Sequence, residues 1–281
     1  MKKELEFYRE VERSLQKKYR KVLWSPFTDA VKKYQLIQEG DRIAVCISGG
    51  KDSMLLAKLM QQLEQYGPVR FTNVFLCMDP GYNPENRRKI EENAALLHIP
   101  VQILESDIFR VANSQEKNPC YLCARMRRGF LYAKAKSLGC NKIALGHHFN
   151  DVIETTLIGM FYASQLQAML PKLHSDNFEG MELIRPLYQV HEDDIIAWKN
   201  YHGLEFLQCA CRFTENTAGS GDGIGASKRQ EVKQLIREMK KTNREVDVSI
   251  FNSIHAVCLE TMPGWKERGK QHSFLENYEQ E

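Results

Sequence analysis

The 281-residue chain has no apolar run near the roughly 20 residues that a membrane-spanning helix needs. Its start, MKKELEFYREVERSLQKKYRK, is charged throughout and lacks the apolar segment of a secretory signal. These absences predict a cytoplasmic protein with no membrane partner. No internal repeat is present, which argues against solenoids and propellers. An excess of one charge sign is also missing. Lys and Arg number 39 and Asp and Glu 36, for a net charge of +3. Bulk composition therefore does not mark a nucleic-acid binder.

Cysteine, by contrast, is plentiful, with eight residues. Structural disulfides are not expected in the cytosol. Cys46 and Cys77 lie inside apolar runs, Cys140 follows Gly139 at a predicted helix end, and Cys258 sits in a C-terminal helical pattern. All four are assigned to structure. Cys120-x-x-Cys123 and Cys209-x-Cys211 are left over.

An apolar content of 43% suffices for a sizeable core. The short continuous apolar runs RIAVCIS, TNVFLCM, VQILES and KIALG read as strands covered on both faces. Helical patterns separate them. Leu55, Leu59 and Leu63 follow the first run, and Ile90, Ala94 and Leu97 the second. Helices near 122–138 and 151–161 follow the third and fourth. Such alternation predicts an α/β fold with a doubly wound parallel sheet. A further run, MELIRPL, predicts a fifth strand. Ahead of the sheet, Ser25 reads as an N-cap followed by Pro26, with a helix over 25–37. Residues 1–40 thus form a basic N-terminal helical extension, and 41–211 the core. Residues 212–281 hold a Gly-rich loop, C-terminal helices and a tail without clear period, read as partly disordered.

The first run ends in Ser48-Gly49-Gly50-Lys51-Asp52-Ser53. Glycines at a strand-to-helix turn let main-chain N–H groups converge on an anion, and the helix dipole adds to the attraction. Asp52 after Lys51 excludes a Walker A loop, and the stretch is not a G-x-G-x-x-G fingerprint. Its order resembles the PP-loop of the ATP pyrophosphatases, which cleave ATP between the α- and β-phosphates. The plain alternative is a tight glycine turn without ligand. The fourth run repeats the geometry in Gly146-His147-His148. There Asn150 is the N-cap candidate, and Asp151 suits the first helical turn. Capping alone accounts for both as well as catalysis does. One of the two histidines could contact phosphate or substrate, and His147 is taken as the catalytic candidate. Asp79 and Tyr82 end the second strand and are expected to border the same pocket.

Cys120 and Cys123 fall at the mouth of a basic helix, where a helix N-terminus favours thiolate. The two cysteine pairs could hold zinc, form a redox disulfide, hold an iron–sulfur cluster with three thiols, or never meet. On that helix Arg125, Arg128 and Lys136 share one face and are candidates for RNA phosphates. Arg127 falls toward the buried side, where it needs an anionic partner.

SGGKDS, CYLCARMRRGFLY, LGHHFNDVIETTLIGMFY and MLPKLHSDNFEGMELIRPL together closely resemble the tRNA-cytidine 2-sulfurtransferases, from about residue 17 to residue 211. The resemblance implies a PP-loop (adenine nucleotide alpha hydrolase-like) fold. It implies adenylation of the cytidine at tRNA position 32 with ATP and Mg²⁺, then replacement of its C2 oxygen by sulfur. It also implies a [4Fe–4S] cluster held by three cysteines, with the sulfur on its open iron.

Carried over, Ser48, Gly49, Gly50, Lys51, Asp52 and Ser53 bind ATP, and Lys51 and Asp52 join His147 as catalytic candidates. Asp79 and Gly146 complete the nucleotide set. Cys120 and Cys123 match the first two cluster ligands. Cys211 is assigned as the third, with Cys209 as its rival, because Cys-x-Cys followed by Arg-Phe departs from the family's Cys-x-x-Cys followed by Gly-Ser. The Gly-rich loop is longer than the family norm, and the tail beyond 260 is an addition. The implied partners are tRNA and a sulfur donor such as a cysteine desulfurase, with room for a homodimer. Other PP-loop enzymes of the 2-thiouridine or lysidine type, and a non-enzymatic nucleotide- and cluster-binding redox sensor, stay open as alternatives.

Overall fold

Strand β1 (Arg42–Ile47) forms where it does because both of its faces are covered. Ile43, Val45 and Ile47 enter one apolar layer, and Ala44 and Cys46 enter the other. In this computed structural model, residues 6–106, 119–207 and 224–278 are described, the side chains of 119–125, 224–227 and 277 excepted. Strands β2 (Thr72–Asp79) and β3 (Val101–Glu105) are added on one side of β1, and β4 (Lys142–Ala144) on the other, all parallel. Strand order therefore reverses between β1 and β4, and ligands of open α/β sheets settle at such a point.

The whole order is β3-β2-β1-β4-β6-β5, with β5 (Lys172–His174) and β6 (Glu182–Ile184). The run MELIRPL supplies β6, parallel to β4. The five expected strands are all parallel, and a sixth that was not expected, β5, pairs antiparallel to β6 at the edge. Three residues are too few to show a period, and an antiparallel edge strand on a parallel sheet is a common variation.

Helices α3 (Lys51–Tyr66) and α4 (Pro84–Leu96) cover the first layer. Residues 6–40 share that layer through Val11, Leu15, Leu23, Phe27 and Leu36. They contribute α1 (Phe7–Gln16), a π-helical turn over Arg20–Trp24, and α2 (Ser25–Lys33). Lys58, buried in α3, fastens α1 by donating to Glu12 Oε1 at 2.7 Å and to the Leu97 carbonyl at 3.0 Å. Ser25 is not an N-cap. Its φ of −63° and ψ of −51° are helical, and the π turn runs straight into it. Proline's ring crowds the carbonyl four residues back, and a widened turn relieves that crowding. The helix also ends at Lys33 rather than 37.

Helix α5 (Pro119–Ser137) covers the second layer with Tyr132 and Ala135. Beyond β4 come α6 (Phe149–Ala163) and α7 (Glu192–Tyr201). Further on, α8 (Ile224–Thr242) and α9 (Val246–Ser253) pack on α6. There Val232, Ile236 and Phe251 close over Phe149, Val152, Ile153 and Leu157.

Cys258 lies beyond the last long helix and is exposed, whereas Cys46, Cys77 and Cys140 are buried as expected. The tail is another correction. It forms a hairpin of β7 (Gly264–Glu267) and β8 (Lys270–Ser273), then the short α10 (Leu275–Tyr278). Arg268 and Gly269 make its two-residue turn with positive φ at both, the arrangement that matches strand twist. Its strands hold four residues each, and Trp265 stacks on His272.

Candidate active site

Ser48, Gly49 and Gly50 turn the chain from β1 into α3. Gly49 has φ +85°, and a Cβ there would lie 2.7 Å from Ile90 Cγ1, so no larger residue fits. Gly50 is the N-cap of α3, and no side chain caps that helix. The first N–H groups of a helix have no intrahelical partner, and the dipole makes this end positive. The end is thus left open to an anion. The loop holds its shape without one, because Ser53 Oγ accepts from the Ser48 N–H at 3.2 Å and donates to the Gly50 carbonyl at 2.9 Å.

Gly146, just past β4, lies against this turn. A Cβ on it would sit 3.1 Å from Asp52 C and Ser53 N, backbone atoms that cannot swing away. The glycine lets the starts of α3 and α6 converge. Gly146→Ala should therefore weaken ATP binding about tenfold by displacing the loop, with the fold retained. Calorimetric titration with ATP, beside a thermal melt, checks this. Wild-type affinity would show that the loop tolerates the methyl group.

Between the two turns lies a cavity of about 290 Å³. Ser48, Asp52, Ser53, Gly146, His147 and Asp151 form its polar side, and Met78 and Leu131 its apolar wall. Arg127 of α5 also lines it and hydrogen-bonds the Tyr82 phenol. Instead of the anionic partner expected for it, Arg127 thus meets a phenol, which burial keeps neutral, on one side and an open cavity on the other. Asp79 faces elsewhere. Its Oδ1 accepts from the N–H groups of Gly81 and Tyr82 at 2.8 and 2.7 Å, and it pairs with Arg87 at 3.1 Å. It shapes the turn after β2 and lines a neighbouring cavity.

Lys51 Nζ lies 3.0 Å from Glu192 Oε1 and 3.1 Å from Asp52 Oδ1. Burial lowers its pKa, but the two carboxylates outweigh burial and the net shift is upward. Lys51 is a held ammonium. Burial alone would raise the pKa of Glu192, yet the hydrogen bond from Lys233 and the charge of Lys51 hold it down at about 2.

Asn150 does not cap α6. Its Oδ1 accepts from the Glu192 N–H at 2.9 Å, at the start of α7. His148 is the N-cap, since it is the extended residue just before the helix and Asn150 is already inside. The Asp151 N–H donates to His148 Nδ1 at 3.4 Å, and Asp151 Oδ2 accepts from the His148 N–H at 3.0 Å. A capping box is thus closed with an imidazole.

The model of the PP-loop domain matches residues 11–211 of this chain. The tRNA-cytidine(32) 2-sulfurtransferase of Alkalilimnicola ehrlichii is 37% identical over 82% of this chain and 71% of its own length. That of Cellvibrio japonicus is 36% identical over 86% and 77%. The chain belongs to the tRNA-cytidine(32) 2-sulfurtransferase family. Its fold is also that of the U34-tRNA thiolase NcsA from Methanococcus maripaludis, with a TM-score of 0.62 at 19% identity, over 92% of this chain and 81% of that one.

In this family member the first cysteine pair opens a helix that lines the crevice. Cys120 and Cys123 occupy the first turn of α5, and Arg127 follows one turn later. Cys209 and Cys211 lie outside the described residues, but the Leu207 N–H donates to the Gly49 carbonyl at 3.1 Å. Cys46 and Cys77 are inert by contrast, since burial pushes both thiols up to about 12.

Of the RNA candidates, Arg128 and Lys136 are exposed, and Arg125 has no described side chain. Buried Tyr132, stacked on Phe178, lies midway between Arg128 and Lys136 and interrupts the basic face. Lys136 donates to the Glu179 carbonyl.

His147 is half-buried, and its Nδ1 is enclosed without a partner. Burial pushes its pKa down to about 4, against the pull of Asp151. It presents a neutral ring to the cavity, suited to hydrogen bonding.

Sequence reasoning missed Glu192, Arg229 and Lys233, although HEDD opening a helix and two cations flanking Val232 were legible signals. Glu154 of α6 was missed too. It is 2% exposed, and burial pushes its carboxyl up to about 7, with Lys233 and Arg229 pulling the other way. The folded protein then keeps this proton between the ordinary value of 4.5 and about 7, where the unfolded chain has lost it. Stability falls as pH rises through that window. Glu154→Gln removes the fall, so its melting temperature relative to wild type should rise between pH 5 and pH 8. A constant difference would mean that Glu154 is charged throughout.

Proposed function

We propose that this protein is an ATP-dependent tRNA thiolase. It adenylates a tRNA cytidine, at position 32 by resemblance, and replaces the C2 oxygen by sulfur. One observation carries the reading: the helix that opens with Cys120 and Cys123 lines the nucleotide crevice, and the described chain ahead of Cys209 ends bonded to the glycine loop. Arg127 lines the cavity four residues after Cys123, and Leu207 is bonded to Gly49 two residues before Cys209.

The open end of α3 receives the phosphates, with Ser48 and Ser53 as hydroxyl donors. Lys51 exchanges Glu192 for the phosphates and offsets the charge that grows as pyrophosphate leaves. The cytidine O2 attacks the α-phosphorus. An O–P bond forms there, and the bond to pyrophosphate breaks. Sulfide then attacks C2 and AMP departs with the oxygen, so no net oxidation occurs. His147 offers a hydrogen bond from a neutral ring, and Arg127 meets the negative charge of AMP. A loop cytidine unstacks at low cost, which suits entry of the base. Arg125, Arg128 and Lys136 are proposed to hold flanking phosphates. Mg²⁺ would enter with ATP and be held largely by its phosphates. Among the described residues no group of three or more His, Cys, Asp or Glu is arranged for a metal ion.

Cys120 and Cys123, three apart on one helical turn, are neighbours at the thiolate-favouring end of α5. With Cys211 they would hold the [4Fe–4S] cluster, and Cys209 is the rival third ligand. When bound, the cluster would supply the sulfur atom. Anaerobic purification, with iron and acid-labile sulfide assayed in each Cys→Ala variant, decides between Cys209 and Cys211. A cysteine desulfurase is the proposed donor, and a homodimer is testable by sedimentation. Among the described residues no helix is long and apolar enough to cross a membrane, and the cytoplasm is the proposed compartment. A strain lacking the gene should lose 2-thiocytidine from its tRNA. An unchanged nucleoside profile by mass spectrometry would reject the reading.

A further inference from the structure

Helix α8 lies beyond residue 211, where the match to the PP-loop domain ends, yet its cations reach the carboxylates beside the crevice. Val232 and Ile236 are buried against α6. Arg229 and Lys233 fall on the same helical face, so packing of the apolar pair delivers both cations to the site. Arg229 Nη1 lies 2.9 Å from Asp151 Oδ1, and Lys233 Nζ lies 2.9 Å from Glu192 Oε2. Each also approaches the buried Glu154 carboxylate at 3.7 Å.

Without α8 the charge balance is poor. Asp52 and Glu192 flank the one loop cation, Lys51, and Asp151 stands at the same crevice. A triphosphate adds more negative charge to a partly desolvated place, where like charges repel strongly. Glu192 makes the difficulty specific. One of its oxygens holds Lys51 and the other holds Lys233. Lys51 must leave Glu192 to reach a phosphate. A carboxylate left buried and unpaired is strongly unfavourable. With Lys233 in place, Glu192 keeps a partner after Lys51 departs.

We propose that Arg229 and Lys233 are positioning residues for the nucleotide: they neutralise Asp151 and Glu192, and so release Lys51 to the triphosphate. The proposal rests on the reading that this crevice binds ATP. It makes the C-terminal helix part of the active site, acting through carboxylates rather than by touching substrate.

Calorimetric titration with α,β-methylene-ATP, which the enzyme cannot cleave, tests it on the full chain. Lys233→Gln should raise the Kd about tenfold or more, and Lys233→Arg should stay close to wild type. Arg229→Gln should shift the Kd in the same direction. Glu192→Gln combined with Lys233→Gln should bind much better than Lys233→Gln alone, because the charge that Lys233 offsets is gone. A purely structural role for Lys233 would give no such recovery. The affinity for tRNA should be unchanged in all variants. Wild-type Kd in both Lys233→Gln and Arg229→Gln, or a double variant as weak as Lys233→Gln, overturns the proposal. If Lys233→Gln fails to fold, the Arg229→Gln result decides by itself. If the wild-type protein does not bind the analogue, it is the ATP reading that fails.

Discussion

Lys51→Ala should lower tRNA-dependent release of pyrophosphate by about 10²–10³-fold, the loss expected when a preorganised charge is removed from a developing anion. Lys51 is the one cation of the SGGKDS loop. Its neighbours Asp52 and Glu192 keep it protonated, and α3 presents its uncapped end beside it. Nothing else in the loop replaces that charge, since Ser48 and Ser53 donate only hydroxyl hydrogens. Iron and acid-labile sulfide should be unaffected, because Cys120 and Cys123 sit on a different helix. A variant that still releases pyrophosphate at the wild-type rate would remove Lys51 from the reaction. Lys51→Arg is not a full rescue, because the planar guanidinium is bulkier than the ammonium and lacks its freedom to swing.

The second large effect should fall on the other half of the site. Cys123→Ala should abolish formation of 2-thiocytidine, by 10³-fold or more on the order expected for loss of an essential group. Binding of ATP should remain within severalfold of wild type. The two halves share a crevice but not their residues: α3 and the turn at Gly146 carry the phosphates, and the start of α5 carries the thiols. Iron content should drop in step with product. A Cys123→Ala protein that still thiolates tRNA would overturn the cluster reading, and with it the main distinction from PP-loop ligases that use no cysteine. Measured together, the variants should show activation without sulfur in one and cluster without activation in the other.

Much of this site was legible because its signals are local. Ser48-Gly49-Gly50 must turn a strand into a helix within three residues, and only glycine tolerates the φ of +85° at Gly49 beside Ile90. The strands β1, β2 and β4 are buried on both faces over most of their length, and that burial writes itself as unbroken apolar runs, whereas β3 is only half-buried, with Gln102 and Glu105 exposed. Arg127 could be placed toward the interior from helical spacing alone.

Other features carry no local mark. Lys172, Leu173 and His174 become a strand only because β6 offers an open edge. Asn150 suits a helix start by residue type, but a difference of two residues of backbone makes His148 the cap of α6 and lets Asn150 reach Glu192. The basic face of α5 looked continuous until Phe178 arrived from elsewhere to cover Tyr132.

By itself the sequence determined the sheet's parallel half, the phosphate-binding turn, the two cysteine pairs as candidates and the family. The strands and the turn depend on residues within about one turn or strand of each other, where sterics and burial act directly, and the family on several such local motifs in their order. Only the tertiary structure decided which charges meet. Lys51 and Glu192 are 141 positions apart in the chain, and Glu192 and Lys233 are 41 apart. They come within 3.0 Å and 2.9 Å of one another because apolar packing of α7 and α8 on the core carries them there. Electrostatic pairing acts through space, and the chain order holds no record of it.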